Sequence, residues 1–228
     1  MKKILLVVSF LVCNLVGFGQ TKVLTNKEVD SIFTANIKNK LNIKFPLFRV
    51  YEYSDHAGKH FLVLAENGHN ENGNPKNDSI QGICLKVDNG QLKTDWTFND
   101  HKLKEGNANS EEMSIWFWTK YVSLSDIDND GLVDPIVIYG TSGSNGTEDG
   151  RIKILTYYKG TKRALRHQNS SLDPERKTQV DSAFYDLPTS IQNHVKALMK
   201  KMMDDNNAIF PYDWEAAMKK KDLQFDER

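Results

Sequence analysis

Apolar positions along this chain follow a helical period at both ends and a strand-like alternation through the middle. Val29, Ile32, Phe33, Ile37 and Leu41 recur at helical spacing behind Thr25-Asn26-Lys27-Glu28, a capping-box pattern, which predicts a helix over residues 26–41. From Phe45 onward the period shortens. Residues 47–53 and 60–65 read as two strands joined by a turn at 54–59. Residues 79–87 and 92–98 form a second hairpin around Asp88-Asn89-Gly90, because Asn-Gly accepts the positive φ that a two-residue turn needs. Residues 115–124, 135–139, 152–158 and 163–167 continue the series. The result is roughly eight short strands with hairpin-length links, an antiparallel β-meander. Leu187, Ile191, Val195, Leu198 and Met202 return to helical spacing around Pro188, and residues 212–221 after Pro211 give a last short helix. The predicted fold class is α+β, a meander flanked by N-terminal and C-terminal helices.

Between these elements lie two polar stretches. Residues 66–78, rich in Asn, read as an exposed loop without an apolar anchor, and residues 140–150 as a Gly/Ser/Asn loop. The terminal residues 219–228 read as a charged tail.

Charge is balanced, with 30 Lys+Arg against 30 Asp+Glu, and 39% of residues are hydrophobic. That excludes a nucleic-acid binder driven by bulk charge and a disordered tail. Met1-Lys2-Lys3 followed by an apolar run over 4–16, with Gly17 and Gly19 behind it, has the form of a signal peptide at residues 1–20. Removing it leaves 28 basic against 30 acidic residues and one predicted domain over 21–228. No second apolar run reaches the length of a membrane span. The expectation is an exported protein of the periplasm or cell surface. Cys13 falls in the signal segment, where Val12 occupies the place a lipid-attachment motif gives to a small residue. Cys84, between Ile83 and Leu85, then has no partner and reads as a buried, inert thiol.

One motif carries chemistry. Asp126, Asp128, Asp130 and Asp134 stand at positions 1, 3, 5 and 9 of a loop over 126–134, with Gly131 at position 6 where the chain must turn sharply. Calcium needs about six to eight oxygen ligands, and the side chains of Asp126, Asp128 and Asp130, the carbonyl of Leu132, Asp134 and water supply them. The expected role of this Ca2+ is structural. An EF-hand would place a bidentate Glu at position 12, where this chain has Val137 between strand-like flanks, so that assignment fails. The pattern resembles the calcium hairpin of FG-GAP and integrin-propeller repeats, in a single copy. An acidic turn that merely solvates a hairpin is the alternative reading.

Around the loop, Phe117-Trp118-Thr119-Lys120-Tyr121, Asp134-Pro135-Ile136-Val137-Ile138-Tyr139-Gly140-Thr141 and Arg151-Ile152-Lys153-Ile154 lead into Lys159-Gly160-Thr161-Lys162-Arg163-Ala164-Leu165-Arg166. Over residues 115–170 this resembles a family of exported Bacteroidota proteins named for surface polysaccharide biosynthesis. The resemblance implies a link to cell-surface glycan and supplies no catalytic residues. Asp30-Ser31-Ile32, Asp78-Ser79-Ile80 and Asp181-Ser182-Ala183 are similar to the O-glycosylation acceptor of that phylum.

Other clusters have plainer readings. Trp116 and Trp118 alternate with Ile115 and Phe117, so one pair offers a sugar-stacking platform or both pairs pack in the core. His56 and His60 beside Asp55 offer metal donors without a third at metal-site spacing, which leaves a solvated turn. Arg163, Arg166 and His167 offer an oxyanion site or a surface charge patch. No nucleophile elbow, phosphate loop or dinucleotide fingerprint is present. The sequence therefore points to a non-enzymatic, calcium-binding exported protein of surface-polysaccharide assembly or attachment, with glycan or another exported protein as partner. The alternatives are a carbohydrate-active hydrolase using an Asp/Glu pair, and a binding or inhibitor module presenting loops 66–78 and 140–150.

Overall fold

The apolar runs at the centre of the chain are buried on both faces, and this turns the predicted meander into two stacked sheets. A computed structural model describes residues 21–71, 74–103 and 111–227; the signal-like segment 1–20 lies outside them. In chain order the elements are β1 (Lys22–Val23), α1 (Asn26–Ile32), α2 (Ala35–Lys40), β2 (Leu47–Asp55), β3 (Gly58–Glu66), β4 (His69–Glu71), β5 (Asn74–Lys76), β6 (Ser79–Asp88) and β7 (Gln91–His101). There follow β8 (Ser114–Phe117), β9 (Ser123–Ser125), β10 (Asp134–Ser142), β11 (Arg151–Tyr158), β12 (Thr161–Gln168), β13 (Lys177–Val180), α3 (Thr189–Asp204), α4 (Trp214–Lys220) and β14 (Gln224–Asp226). The fold is α+β and its named strand pairings are antiparallel.

The first sheet runs β1-β2-β3-β6-β7 and the second β14-β13-β12-β11-β10-β8, with β9 also on β10 and the β4-β5 hairpin apart. Strand periodicity sorts the side chains into three cores. Tyr53, Leu62, Leu64 and Trp96 of the first sheet meet Phe117, Val137, Tyr139 and Tyr157 of the second. The opposite face of the first sheet, with Val50, Phe61, Val63 and Ile83, packs under α1 and α2. The opposite face of the second, with Ile136, Ile138, Ile152 and Ile154, packs under α3 and α4. The order of layers is helix, sheet, sheet, helix. No helix among the described residues is long and apolar enough to cross a membrane.

Several boundaries differ from expectation for local reasons. The N-terminal helix is two helices. Thr25 and Glu28 do form the capping box of α1, but Thr34 caps α2 anew, and between them Phe33 is buried edge-on to Phe61 at 5.9 Å between ring centroids. The predicted strand 115–124 is interrupted by a 3-10 turn at Thr119–Tyr121 that separates β8 from β9. The stretch 66–78 is more than an exposed loop, since it contains β4 and β5, and Asn77 near its end is buried. Likewise the first part of 140–150 belongs to β10, with Gly140 and Thr141 buried. The tail is not simply charged: Phe225 is buried and β14 completes the second sheet beside β13.

Candidate metal centre

The acidic loop joins two paired strands, β9 and β10, whose register sets Asp134 opposite Ser125. The loop organises itself through its own carboxylates, which accept main-chain N–H groups in the way short acidic side chains do in turns. Asp126 Oδ1 accepts from Asp130 N at 3.0 Å and its Oδ2 from Gly131 N at 2.9 Å. Asp128 Oδ1 accepts from Asp130 N at 3.2 Å, and Asp130 Oδ1 from Leu132 N at 2.9 Å. Asn129 and Gly131 take positive φ, 61° and 89°, which lets the chain double back.

These bonds bring one ligand oxygen from each of Asp126, Asp128 and Asp130 within 4.8 Å of one another. Oxygens on opposite sides of one calcium ion lie about 5 Å apart, so the three fit around a single ion. Each carboxylate oxygen that receives one N–H keeps a lone pair for a cation. The structure describes the other two residues of the predicted set through different contacts: Leu132 by the N–H bond to Asp130, and Asp134 by an Oδ2 that accepts from Ile127 N at 2.9 Å. Asp134 is buried at the base of the loop. Burial, reinforced by the charges of Asp128 and Asp130 and opposed by the Ile127 N–H, pushes its carboxyl up to about 6. Lys159 Nζ lies 3.1 Å from Asp130 Oδ2, an exposed pair of small energetic weight.

The sequence reading missed the partner of this loop on the other sheet. Val133 N donates to Asp55 Oδ2 at 3.1 Å, a contact between residues 78 positions apart, and His56 N donates to Gly131 O at 2.9 Å. Asp55 also accepts from Ala57 N at 2.7 Å, so one carboxylate closes the β2-β3 turn and fastens it to the acidic loop. Its place beside a Gly58 turn marks a turn former, but nothing in the spacing reveals its long-range role. A cleft of about 540 Å3 walled by Ser54, Asp55, Leu124, Asp126, Asn129 and Val133 opens beside the cluster.

The remaining candidates disperse. His60 is not in a solvated turn: it is 5% exposed and stacks on Tyr53 at 5.1 Å, with Nε2 3.2 Å from Asp55 Oδ1 but outside hydrogen-bond alignment. Arg163 donates to the carbonyls of Tyr158 and Thr161, Arg166 pairs with Asp181 at 2.6 Å, and His167 is buried against Phe210, so no oxyanion site forms from the three. Ile115 and Phe117 enter the core between the sheets, while Trp118 is buried on the opposite face and Trp116 is half-buried there. Cys84 is buried, with Sγ 3.2 Å from Tyr53 Oη, and burial pushes its thiol up to about 12. Ser31 donates to Glu28 O within α1, Ser79 opens β6 and Ser182 begins a 3-10 turn. Comparison with known proteins finds no matching protein family, curated protein or solved structure.

Proposed function

We propose that the protein is a non-enzymatic calcium binder in which the ion, held by Asp126, Asp128 and Asp130 with Leu132 O and Asp134, fixes the seam between the two sheets. The observation that carries this reading is the convergence of three carboxylates within 4.8 Å on a loop already folded by its own N–H bonds. Bringing three negative charges together is unfavourable without a counter-ion, and the ammonium that pairs with the cluster among the described residues, Lys159, is exposed and lies on Asp130. The same loop bonds Asp55 and His56 of the first sheet, so an ion that rigidifies it also stabilises that junction. Export and the connection with surface glycan belong to the proposal through the sequence resemblance.

Calorimetric titration of calcium into metal-stripped protein, with melting temperature followed in parallel, tests the reading. Saturable binding that raises the melting temperature and disappears in Asp128→Asn and Asp130→Asn is expected. Absence of heat and of any thermal shift at millimolar calcium would return the loop to an acidic turn.

A further inference from the structure

β10 begins at the acidic loop and ends, at Ser142, beside a second concave site. This cleft encloses about 680 Å3, a volume usual for small-molecule sites. Its walls combine the rings of Phe48 and Trp116 with the polar groups of Glu66, Asn77, Ser114 and Ser142.

Each group is placed by a specific local feature. β2 slips register against β3 between Leu47 and Arg49, and the bulged residue Phe48 is left 47% exposed. Bulges re-aim side chains in this way beside binding sites. Trp116 stands half-buried on β8, on the face opposite Ile115 and Phe117, with its ring 6.3 Å from that of Trp118. Glu66, at the end of β3, accepts from Phe117 N at 2.9 Å and from Asn77 Nδ2 at 2.7 Å, and burial raises its carboxyl above the usual range.

Asn77 is the telling group. It is 4% exposed; its main-chain N–H donates to Ser114 Oγ at 3.1 Å and its Nδ2 to Glu66. Its Oδ1 has no hydrogen-bond partner among the described residues and faces Gly68, another wall residue, where an added β-carbon would lie 3.5 Å away. Buried amide oxygens are almost always bonded, so this one, beside the Gly68 wall, has acceptor capacity left for a hydrogen bond from a bound molecule.

The chemistry of the walls selects the ligand. Among the described residues no Lys or Arg lines the cleft, and Glu66 repels a phosphate or carboxylate. The Arg49 guanidinium lies over the Phe48 ring, 5.7 Å from its centre, so a cation–π contact on that ring is already made within the chain. Free acceptors at Asn77 and Glu66, a hydroxyl at Ser114 and two aromatic faces suit a neutral ring that carries hydroxyl donors and one apolar C–H face. We propose that the Phe48–Trp116 cleft binds a neutral saccharide of one or two pyranose units, stacked on the aromatic rings with hydroxyls donated to Asn77 Oδ1 and Glu66. Glu66 is the only acid among the described wall residues, and glycoside hydrolysis generally requires two, so the role proposed for the site is binding. None of these groups belongs to the acidic loop, so failure of calcium binding leaves the saccharide proposal intact, and its own failure leaves the calcium reading intact.

Nitrogen–proton correlation spectra of the protein, titrated separately with cellobiose, maltose and chitobiose and with choline as a cationic control, test this. At least one saccharide is expected to shift the indole N–H signal that Trp116→Ala removes, and to bind about tenfold more weakly to Trp116→Ala and Phe48→Ala. Phe48 is exposed, so its variant keeps the test usable should Trp116→Ala fail to fold. No saccharide response at tens of millimolar, equal binding by Phe48→Ala, or a preference for choline would overturn the proposal.

Discussion

Gly131 and His56 touch so closely that a β-carbon on Gly131 would stand 1.9 Å from His56 Nδ1. The contact joins the sharp corner of the acidic loop to the β2-β3 turn, and Gly131 also holds φ at 89°. Two independent demands therefore converge on this glycine. Gly131→Ala is expected to destabilise the protein by about 2–4 kcal/mol, lowering the melting temperature by roughly 5–10 °C. Adding His56→Ala should relieve the overlap and recover part of the loss, leaving the cost of the left-handed backbone. A thermal melt of the single variant indistinguishable from the parent would show that the corner relaxes freely.

Glu112 is buried and spends both oxygens on fixed partners. It accepts from Arg151 Nη2 at 2.7 Å, from Thr141 Oγ1 at 2.9 Å and from Leu103 N at 2.6 Å, with a further bond from Arg151 Nε. Removing the carboxylate strands a largely buried guanidinium whose other partners among the described residues are Asp100 at 3.9 Å and the carbonyl of His101. Glu112→Ala should cost about 3–5 kcal/mol in urea unfolding, and Arg151→Met in the same background should restore a part of it. Additive losses from the two substitutions would show that the pair is not coupled.

The strands were legible in the sequence wherever a hairpin turn framed them, as at Asp88-Asn89-Gly90, where β6 and β7 extend the predicted runs by a few residues. Their sorting into two sheets was hidden because both faces are buried. Ile136, Val137, Ile138 and Tyr139 form one apolar run, yet Ile136 and Ile138 face helices while Val137 and Tyr139 face the other sheet. β14 was hidden for the opposite reason, since Leu223 and Phe225 are the two apolar residues in a charged stretch and of them Phe225 alone is buried. The convergence of Asp126, Asp128 and Asp130 was readable because the three are close in sequence, and one oxygen of each lies within 4.8 Å of the others. Asp55, Glu66 and Asn77 were not, because their roles depend on contacts across strands that no local pattern encodes.

His167 predicts how the fold responds to acid. It is buried between Thr178 and Asn169, 2.9 Å and 3.3 Å from its ring nitrogens, and burial, with repulsion from Arg176, lowers its pKa from 6.5 to about 4. Between those values the unfolded chain takes up a proton that the folded chain refuses. Its contribution is therefore complete above pH 6.5 and is lost as the pH falls toward 4, by about 3 kcal/mol in all. His167→Gln should flatten the pH dependence of unfolding free energy across this window by that amount. An unchanged slope would locate the acid sensitivity in other groups.

The last prediction concerns the reach of the ion. Val133 N bonds Asp55 and His56 N bonds Gly131, so both amides span the junction between the acidic loop and the first sheet. If opening this junction releases calcium, a hundredfold excess over Kd adds about 2.7 kcal/mol to the opening free energy and slows exchange of both amide hydrogens about a hundredfold. Val180 N, bonded to Leu223 O at 2.9 Å on the far edge of the second sheet, opens without disturbing the loop and should exchange at the same rate with and without the ion. Uniform slowing at all three amides would mean that they exchange only through global unfolding. Slowing confined to residues 126–134, with His56 unaffected, would mean that the ion orders the loop but not the junction between the sheets.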